Sequence, residues 1–173
     1  ARFRGEAVAA VVGPADRMAR LDLTAFPVTW HPEREALTPE AARAVGDLHG
    51  TRAGNVMCRG FVRKGEAEEA LGRADVVAEG SFETGFIEHA YIEPEAGYAV
   101  PVGDGPDRIE VTACTQAPYM DLEETARVLG VAQSRVRIKP TACGGGFGGK
   151  LDVSVQPLLA LAAWVTRRPV RIV

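Results

Sequence analysis

Residues 144–150 read GGGFGGK, five glycines in seven positions. Glycine takes positive φ without a steric penalty and leaves main-chain N–H groups bare, at an entropic cost that ordinary loops avoid. The run follows an apolar stretch at 135–138 and precedes a long apolar segment. Strand, glycine loop and helix in that order present consecutive N–H donors and a helix N-terminus to an electronegative group. Such chemistry holds a ligand without titrating.

Two nucleotide-binding patterns overlap the run. Gly144, Gly149 and Lys150 satisfy GxxxxGK of the phosphate-binding P-loop, and Gly144, Gly146 and Gly149 satisfy GxGxxG of dinucleotide sites. Both matches are cheap in so glycine-rich a stretch. The P-loop also requires Ser or Thr after the lysine to bind magnesium, and Leu151 stands there. A dinucleotide fold wants its glycines in the first βαβ unit with an acidic residue about twenty positions on, and no such residue follows.

The other residues of interest have plain readings beside the chemical ones. Gln116 is expected at a strand end, either satisfied by backbone, as most buried polar groups are, or facing a ligand. His89, near Tyr91 and Glu93, has no nucleophile or metal partner at suitable spacing and reads as a structural histidine. His31 and His49 fall in loop-like sequence and read as solvated. Glu93 and Glu95 alternate as an acid pair or as surface charge. Cys143 is a soft ligand or a small buried thiol, and Phe147 a plug for the loop whose backbone still serves a ligand.

The elements that position these residues follow from periodicity and punctuation. Valines at 8–12 end at Gly13-Pro14 and read as a strand, then a short helix to about Leu21. Strand signals recur at 25–30, 76–82 and 86–91, and a helix is expected over 64–71, its glutamates favoured by the helix dipole. Between 31 and 55, Pro, Gly and charge prevail, with one Ala-rich turn near 41–45. Residues 98–102 and 108–114 form a hairpin across Gly103-Asp104-Gly105-Pro106. A helix with capping-box spacing at Asp121 and Glu124 runs to Gly130, and a strand occupies 135–139. Val155, Leu158, Leu159, Ala162 and Val165 recur at helical steps of three and four, and Pro169 precedes a last strand at 170–173. No internal repeat is visible.

Composition bounds the function. The 173 residues suffice for one ordinary domain or two small ones, and 46% apolar with 25% charged residues is globular. A net charge of -3 without a basic run makes nucleic acid an unexpected partner. No apolar stretch is long enough for a membrane span, and the N-terminus lacks a signal-peptide layout. The chain begins at Ala1 rather than Met and is expected to be a piece of something longer. Cys58, Cys114 and Cys143 contain no CxxC pair, poor material for a disulfide framework or a thiolate metal site, so a cytoplasmic setting is expected.

Several segments in order, Cys114-Thr115-Gln116-Ala117-Pro118, the helix to Gly130, the strand 135–139 and GGGFGGK, resemble the molybdopterin-binding region of the xanthine dehydrogenase and aldehyde oxidase family of molybdenum hydroxylases. His89-Ala90-Tyr91-Ile92-Glu93-Pro94-Glu95 is similar to the start of that region, and residues 3–9 with Gly54-Asn55 to the later part of the family's small hammerhead α/β domain. The resemblance implies an α+β chain: residues 1–79 as the C-terminal part of a hammerhead-type half domain, and 80–173 as the N-terminal part of the molybdopterin-binding domain. It implies a molybdenum–molybdopterin cofactor approached by Gln116 and by the backbone of Gly145, Gly146, Phe147 and Gly148, with no residue here ligating metal directly.

The reaction implied is hydroxylation of an aldehyde or N-heterocycle with oxygen from water. The glutamate base lies outside this chain, so the isolated piece is expected to be inactive and to supply no catalytic residue. Iron–sulfur centres and FAD are expected on other domains or subunits, and the remaining parts of the molybdenum subunit are expected partners. Xanthine-oxidising members carry a substrate-contacting glutamate immediately after GGGFGGK, where this chain has Leu151 and then Asp152. Leucine leaves the ring nitrogens of a purine unpaired, which puts purine in doubt as substrate. The rival readings are a non-catalytic scaffold or assembly fragment that binds no cofactor, and a degenerate P-loop nucleotide binder.

Overall fold

The computed structural model describes residues 3, 5–103 and 108–173. The chain divides into two compact units, residues 22–84 and residues 1–21 with 85–173. In the first, Thr38 caps α2 (Pro39–Ala44), its Oγ1 accepting the Ala41 N–H, and Pro39 suits the first helical position because its missing N–H has no partner there anyway. The Asn55 side chain pins the loop behind α2: its Nδ2 donates to the Ala42 and Gly46 carbonyls and its Oδ1 accepts the Leu48 N–H. Helix α3 (Ala67–Gly72) completes this unit, with Glu68 and Glu69 in its first turn as the helix dipole favours.

The second unit holds α1 (Ala15–Met18) and an α+β core. A four-stranded mixed sheet has the order β3-β2-β1-β4, with β1 (Gly97–Val102), β2 (Arg108–Ala113), β3 (Val136–Pro140) and β4 (Val170–Ile172). β1 is antiparallel to β2 and β4, and β2 is parallel to β3. Parallel neighbours require a crossover. Here that is α4 (Pro118–Leu129), closed at its C-terminus by left-handed Gly130. Helix α5 (Gln156–Thr166) packs on β1 and β2 and against α4.

Alternation along β2 buries Ile109, Val111 and Ala113, and helical spacing brings Leu159, Ala160 and Ala163 onto them with Ala99 and Ala126. Gly97 is required there: a Cβ would meet the Thr112 carbonyl at 2.7 Å and Leu159 Cδ1 at 3.0 Å. The strands expected at 98–102, 108–114, 135–139 and 170–173, and the two helices between them, are present with boundaries moved by a few residues.

Several expectations are corrected. Residues 8–12, 25–30, 76–82 and 86–91 form no strand. Val76, Phe82, Phe86 and Ile87 are largely exposed, and an apolar β-branched run becomes a strand only where a neighbouring edge supplies ladder partners and cover. The capping box at Asp121 is absent: α4 starts three residues earlier at Pro118, whose fixed φ suits a first helical position, and Asp121 is buried inside the helix. The turn residues Asp104, Gly105 and Pro106 lie outside the described residues. Among the described residues no helix is long and apolar enough to cross a membrane.

Candidate functional site

Sheet topology decides what meets what. The C-terminal ends of the parallel strands β2 and β3 lie side by side, with Ala113 opposite Pro140. Gly97 at the start of β1 pairs with Ala113. Three connections therefore meet at one end of the sheet: residues 89–96 entering β1, 114–117 leaving β2, and 141–155 leaving β3. Ligand sites of sheets containing parallel strands favour this end.

The loop is tied down from both sides. The Gln116 main chain donates to the Lys150 carbonyl at 3.0 Å, and its side-chain Oε1 accepts the N–H groups of Gly148 (3.1 Å) and Lys150 (3.3 Å). Because only oxygen accepts from a backbone N–H, these two bonds fix the amide orientation and leave Nε2 as a donor without a protein acceptor among the described residues. Gly146 makes this approach possible, since a Cβ there would overlap Gln116 Oε1 and lie 2.7 Å from Cδ. On the other side, Cβ atoms at Gly144, Gly145 and Gly149 would strike Glu93, Tyr91 and Tyr91 again, at 2.8–2.9 Å. Gly145 and Gly148 also need positive φ, +120° and +95°, and Phe147 itself sits at +52° with its ring exposed.

The row of bare donors expected along the loop is shorter than its glycines. Gly144 donates to Glu93 Oε2, Gly149 to the Gly146 carbonyl, and Leu151 to the Gly148 carbonyl. Gly148 and Lys150 are held by Gln116. The N–H groups of Gly145, Gly146 and Phe147 have no protein acceptor among the described residues. Three adjacent main-chain donors, on half-buried Gly145, buried Gly146 and exposed Phe147, and the Gln116 Nε2 therefore have no protein acceptor among the described residues. Gln116 is exposed, not the buried glutamine weighed from sequence.

Behind the loop lies a charged cluster that periodicity does not announce. Lys150 is 2% exposed. Its Nζ donates to Glu93 Oε2 (2.8 Å), to the Glu93 carbonyl (3.0 Å) and to Cys114 Sγ (3.4 Å), and stands 4.5 Å above the Tyr91 ring. Burial alone would lower the lysine pKa, but the bonds to Glu93 and Cys114 outweigh it and the pKa is raised. Glu93 is held down at about 2 by the Cys114 thiol, the Lys150 ammonium and the Gly144 N–H. Burial, with the Glu93 carboxylate and Cys143 beside it, pushes the Cys114 thiol up to about 11, so it stays protonated at neutral pH.

Glu93, Cys114 and Cys143 have the right atom types, within 4.8 Å of one another, to hold a soft metal ion. The Lys150 ammonium already supplies the positive charge there. Cys143 instead donates its S–H to the Gly145 carbonyl. Glu93 and Glu95 are not a working acid pair: Glu95 accepts from Tyr91 Oη (2.9 Å) and Ser154 Oγ (2.6 Å). His89 is half exposed, with Glu88 beside Nδ1 at 3.9 Å and its ring against the glycine loop, 3.0–3.1 Å from where a Cβ at Gly149 would lie. Deeper, Gln156 Nε2 donates to Asp121 Oδ2 at 3.3 Å, and burial raises the Asp121 pKa. The roles of Tyr91, Lys150, Asp121 and Gln156 are not read from sequence, where Lys150 figures only as a P-loop lysine and Asp121 only as a helix cap; a lysine at the end of a glycine run, with an acidic residue in the segment before the first core strand, is the one available signal.

Comparison with known proteins gives this arrangement a family. A model of the molybdopterin cofactor-binding domain matches residues 48–173. The chain belongs to that family. It is 35% identical over 178 residues to a probable xanthine dehydrogenase subunit of Bacillus subtilis (strain 168), covering 99% of this chain and 23% of the relative. It is 33% identical to the nicotinate dehydrogenase large molybdopterin subunit of Eubacterium barkeri, covering 99% of this chain and 40% of the relative. The xanthine dehydrogenase of Oryza sativa subsp. japonica is 39% identical over 64% of the chain, which is 8% of that relative. The chain thus spans less than half the length of these family members, all named as dehydrogenases or their subunits.

Proposed function

We propose that this chain forms part of the cradle for a molybdenum–molybdopterin cofactor, within a longer oxidoreductase that hydroxylates an aldehyde or an N-heterocycle with oxygen from water. One observation carries the reading: the N–H groups of Gly145, Gly146 and Phe147 are unclaimed by protein among the described residues, beside a Gln116 side chain oriented to donate through Nε2. The donor set fits the group. Neutral N–H groups hold oxygen ligands and phosphate without exchanging protons, and the loop offers no carboxylate of its own to repel them. When bound, the cofactor supplies the redox chemistry.

The residues of this chain hold and orient. Gly145, Gly146 and Phe147 donate main-chain N–H groups. Gly148 carries the chain through positive φ and braces Gln116, whose Nε2 donates toward an oxygen ligand. The carboxylate that acts as base lies outside these residues, as do iron–sulfur and flavin centres on partner domains or subunits. Leu151, 47% exposed, offers an apolar side chain where recognition of a purine would need a carboxylate. That favours aldehydes and heterocycles with fewer ring nitrogens than a purine; of the similar relatives one is named for nicotinate, a pyridine, and another for xanthine. Residues 1–79 are the later part of a hammerhead-type domain and 80–173 the first part of the cofactor domain, in a cytoplasmic enzyme.

The scaffold reading also has an observation behind it, because packing against Glu93, Tyr91 and Gln116 already accounts for four of the five glycines. Gly148 separates the two readings. Its Cβ position is open, with nothing nearer than His89 Nε2 at 3.8 Å, but its φ of +95° is closed to a β-branched residue. In the full-length protein, Gly148→Val is expected to abolish bound pterin and molybdenum. Wild-type protein purified without either, from cells that make the cofactor, supports the scaffold instead.

A further inference from the structure

We propose that Lys150 is a positioning residue whose buried ammonium ties the C-terminal end of the glycine loop to Glu93, and through Glu93 to the loop's first residue Gly144, and so sets the donors at Gly145, Gly146 and Phe147 in place; this deepens the cradle reading and rests on it. Lys150 holds the C-terminal end of the loop directly, its own N–H bound by Gln116 and its carbonyl accepting the Gln116 N–H. It holds the N-terminal end through one carboxylate oxygen. Glu93 Oε2 accepts both Lys150 Nζ and the Gly144 N–H, each at 2.8 Å. Residues 144 and 150 thereby converge on a single atom, and 145–149 arch between them.

Several features separate this pair from an ordinary surface bridge. The lysine side chain is almost wholly buried, against about a third exposed for the glutamate. The ammonium has three hydrogen-bond acceptors and an aromatic face, so it stays put. The acceptors come from the two segments that flank the loop, Glu93 before β1 and Cys114 just after β2. With the charge removed, Glu93 loses its counter-ion and the Gly144 N–H loses the carboxylate position that holds it. The loop then opens at its first residue while the sheet below, built from apolar contacts, stays folded.

The test compares Lys150→Met, which keeps the apolar stem, with Glu93→Gln, which keeps the shape and removes the charge. Hydrogen exchange is followed at the Gly144 N–H in the full-length protein without cofactor, with β2, α4 and the Gln116-held N–H groups of Gly148 and residue 150 as internal references. Molybdenum and pterin are measured per full-length protein. Expected for Lys150→Met are tenfold or faster exchange at Gly144, unchanged exchange in β2 and α4, and a tenfold or greater fall in bound cofactor. Glu93→Gln shows the same pattern more mildly and carries the test if the methionine variant does not fold. Gly144 exchange within twofold of wild type in the variant that folds overturns the proposal, as does equal loss of protection in β2 and α4. Cofactor content unchanged in a variant with a loosened loop overturns the positioning role. A wild-type protein without cofactor, together with a loosened variant loop, refutes the cradle reading while leaving the fastening itself in place.

Discussion

Gly146→Ala tests whether the glycine at the centre of the loop is there to admit Gln116. The new Cβ would overlap Oε1 and lie 2.7 Å from Cδ and 3.2 Å from Cγ, so the side chain must leave. Its departure breaks two bonds to Oε1, from the N–H groups of Gly148 and Lys150. At about 1 kcal/mol net per hydrogen bond the loss is about 2 kcal/mol. Gly146 is not among the positive-φ residues, so alanine returns roughly 0.4–1 kcal/mol by restricting the unfolded chain. The net expectation is destabilisation of about 1–1.5 kcal/mol. The decisive measurement is a double-mutant cycle with Gln116→Ala, read by urea unfolding through Trp fluorescence. Once Gln116 is absent the alanine has nothing to displace, and Gly146→Ala becomes neutral or slightly stabilising, a coupling of about 2 kcal/mol. An equal penalty in both backgrounds would refute the reasoning and place the strain in the loop backbone itself.

Two further outcomes follow from the core and from the charges. Leu159, 1% exposed between β1 and β2, is expected to cost about 2–5 kcal/mol on truncation to alanine. Leu158, its neighbour at 39% exposed, costs under about 1 kcal/mol, and equal shifts of Tm for the two would contradict the assigned packing. Glu93 titrates at about 2 in the fold against an ordinary 4.5, because the Cys114 thiol, the Lys150 ammonium and the Gly144 N–H favour its charged form. The folded state thus binds this proton less readily than the unfolded chain. Its contribution is complete above about pH 4.5 and is lost as pH falls toward 2. The urea midpoint should drop more steeply over that range in wild type than in Glu93→Gln; identical pH profiles would dismiss the ion pair as a source of stability.

Much of the core was legible because its signals are local. Alternation in 108–113 states which face is buried, whereas the helical repetition in 155–165 located α5 but not its buried face: Leu158 and Val165 are exposed, and Ala160 and Ala163 lie in the core with Leu159. The strands expected at 8–12, 25–30, 76–82 and 86–91 failed for a physical reason: apolar alternation describes a side chain's preference, whereas a strand also needs an edge to pair with. Asp121 misled because its type and spacing imitate a cap. Burial beside Gln156 puts it inside a helix that Pro118 had already begun.

The loop divides along the same line. Its composition by itself determined that residues 144–150 follow an unusual backbone path nearly free of side chains, since glycine tolerates φ near +95° and +120° and leaves the main chain open to close approach. It could not say which donors stay available. That was decided when β1, β2 and β3 brought their connections to one end of the sheet, so that Gln116 and Glu93 took the N–H groups of Gly144, Gly148 and Lys150 and left those of Gly145, Gly146 and Phe147. Hydrogen bonds across thirty to sixty residues depend on strand order and register, which are properties of the assembled sheet and are written in no single stretch of the chain.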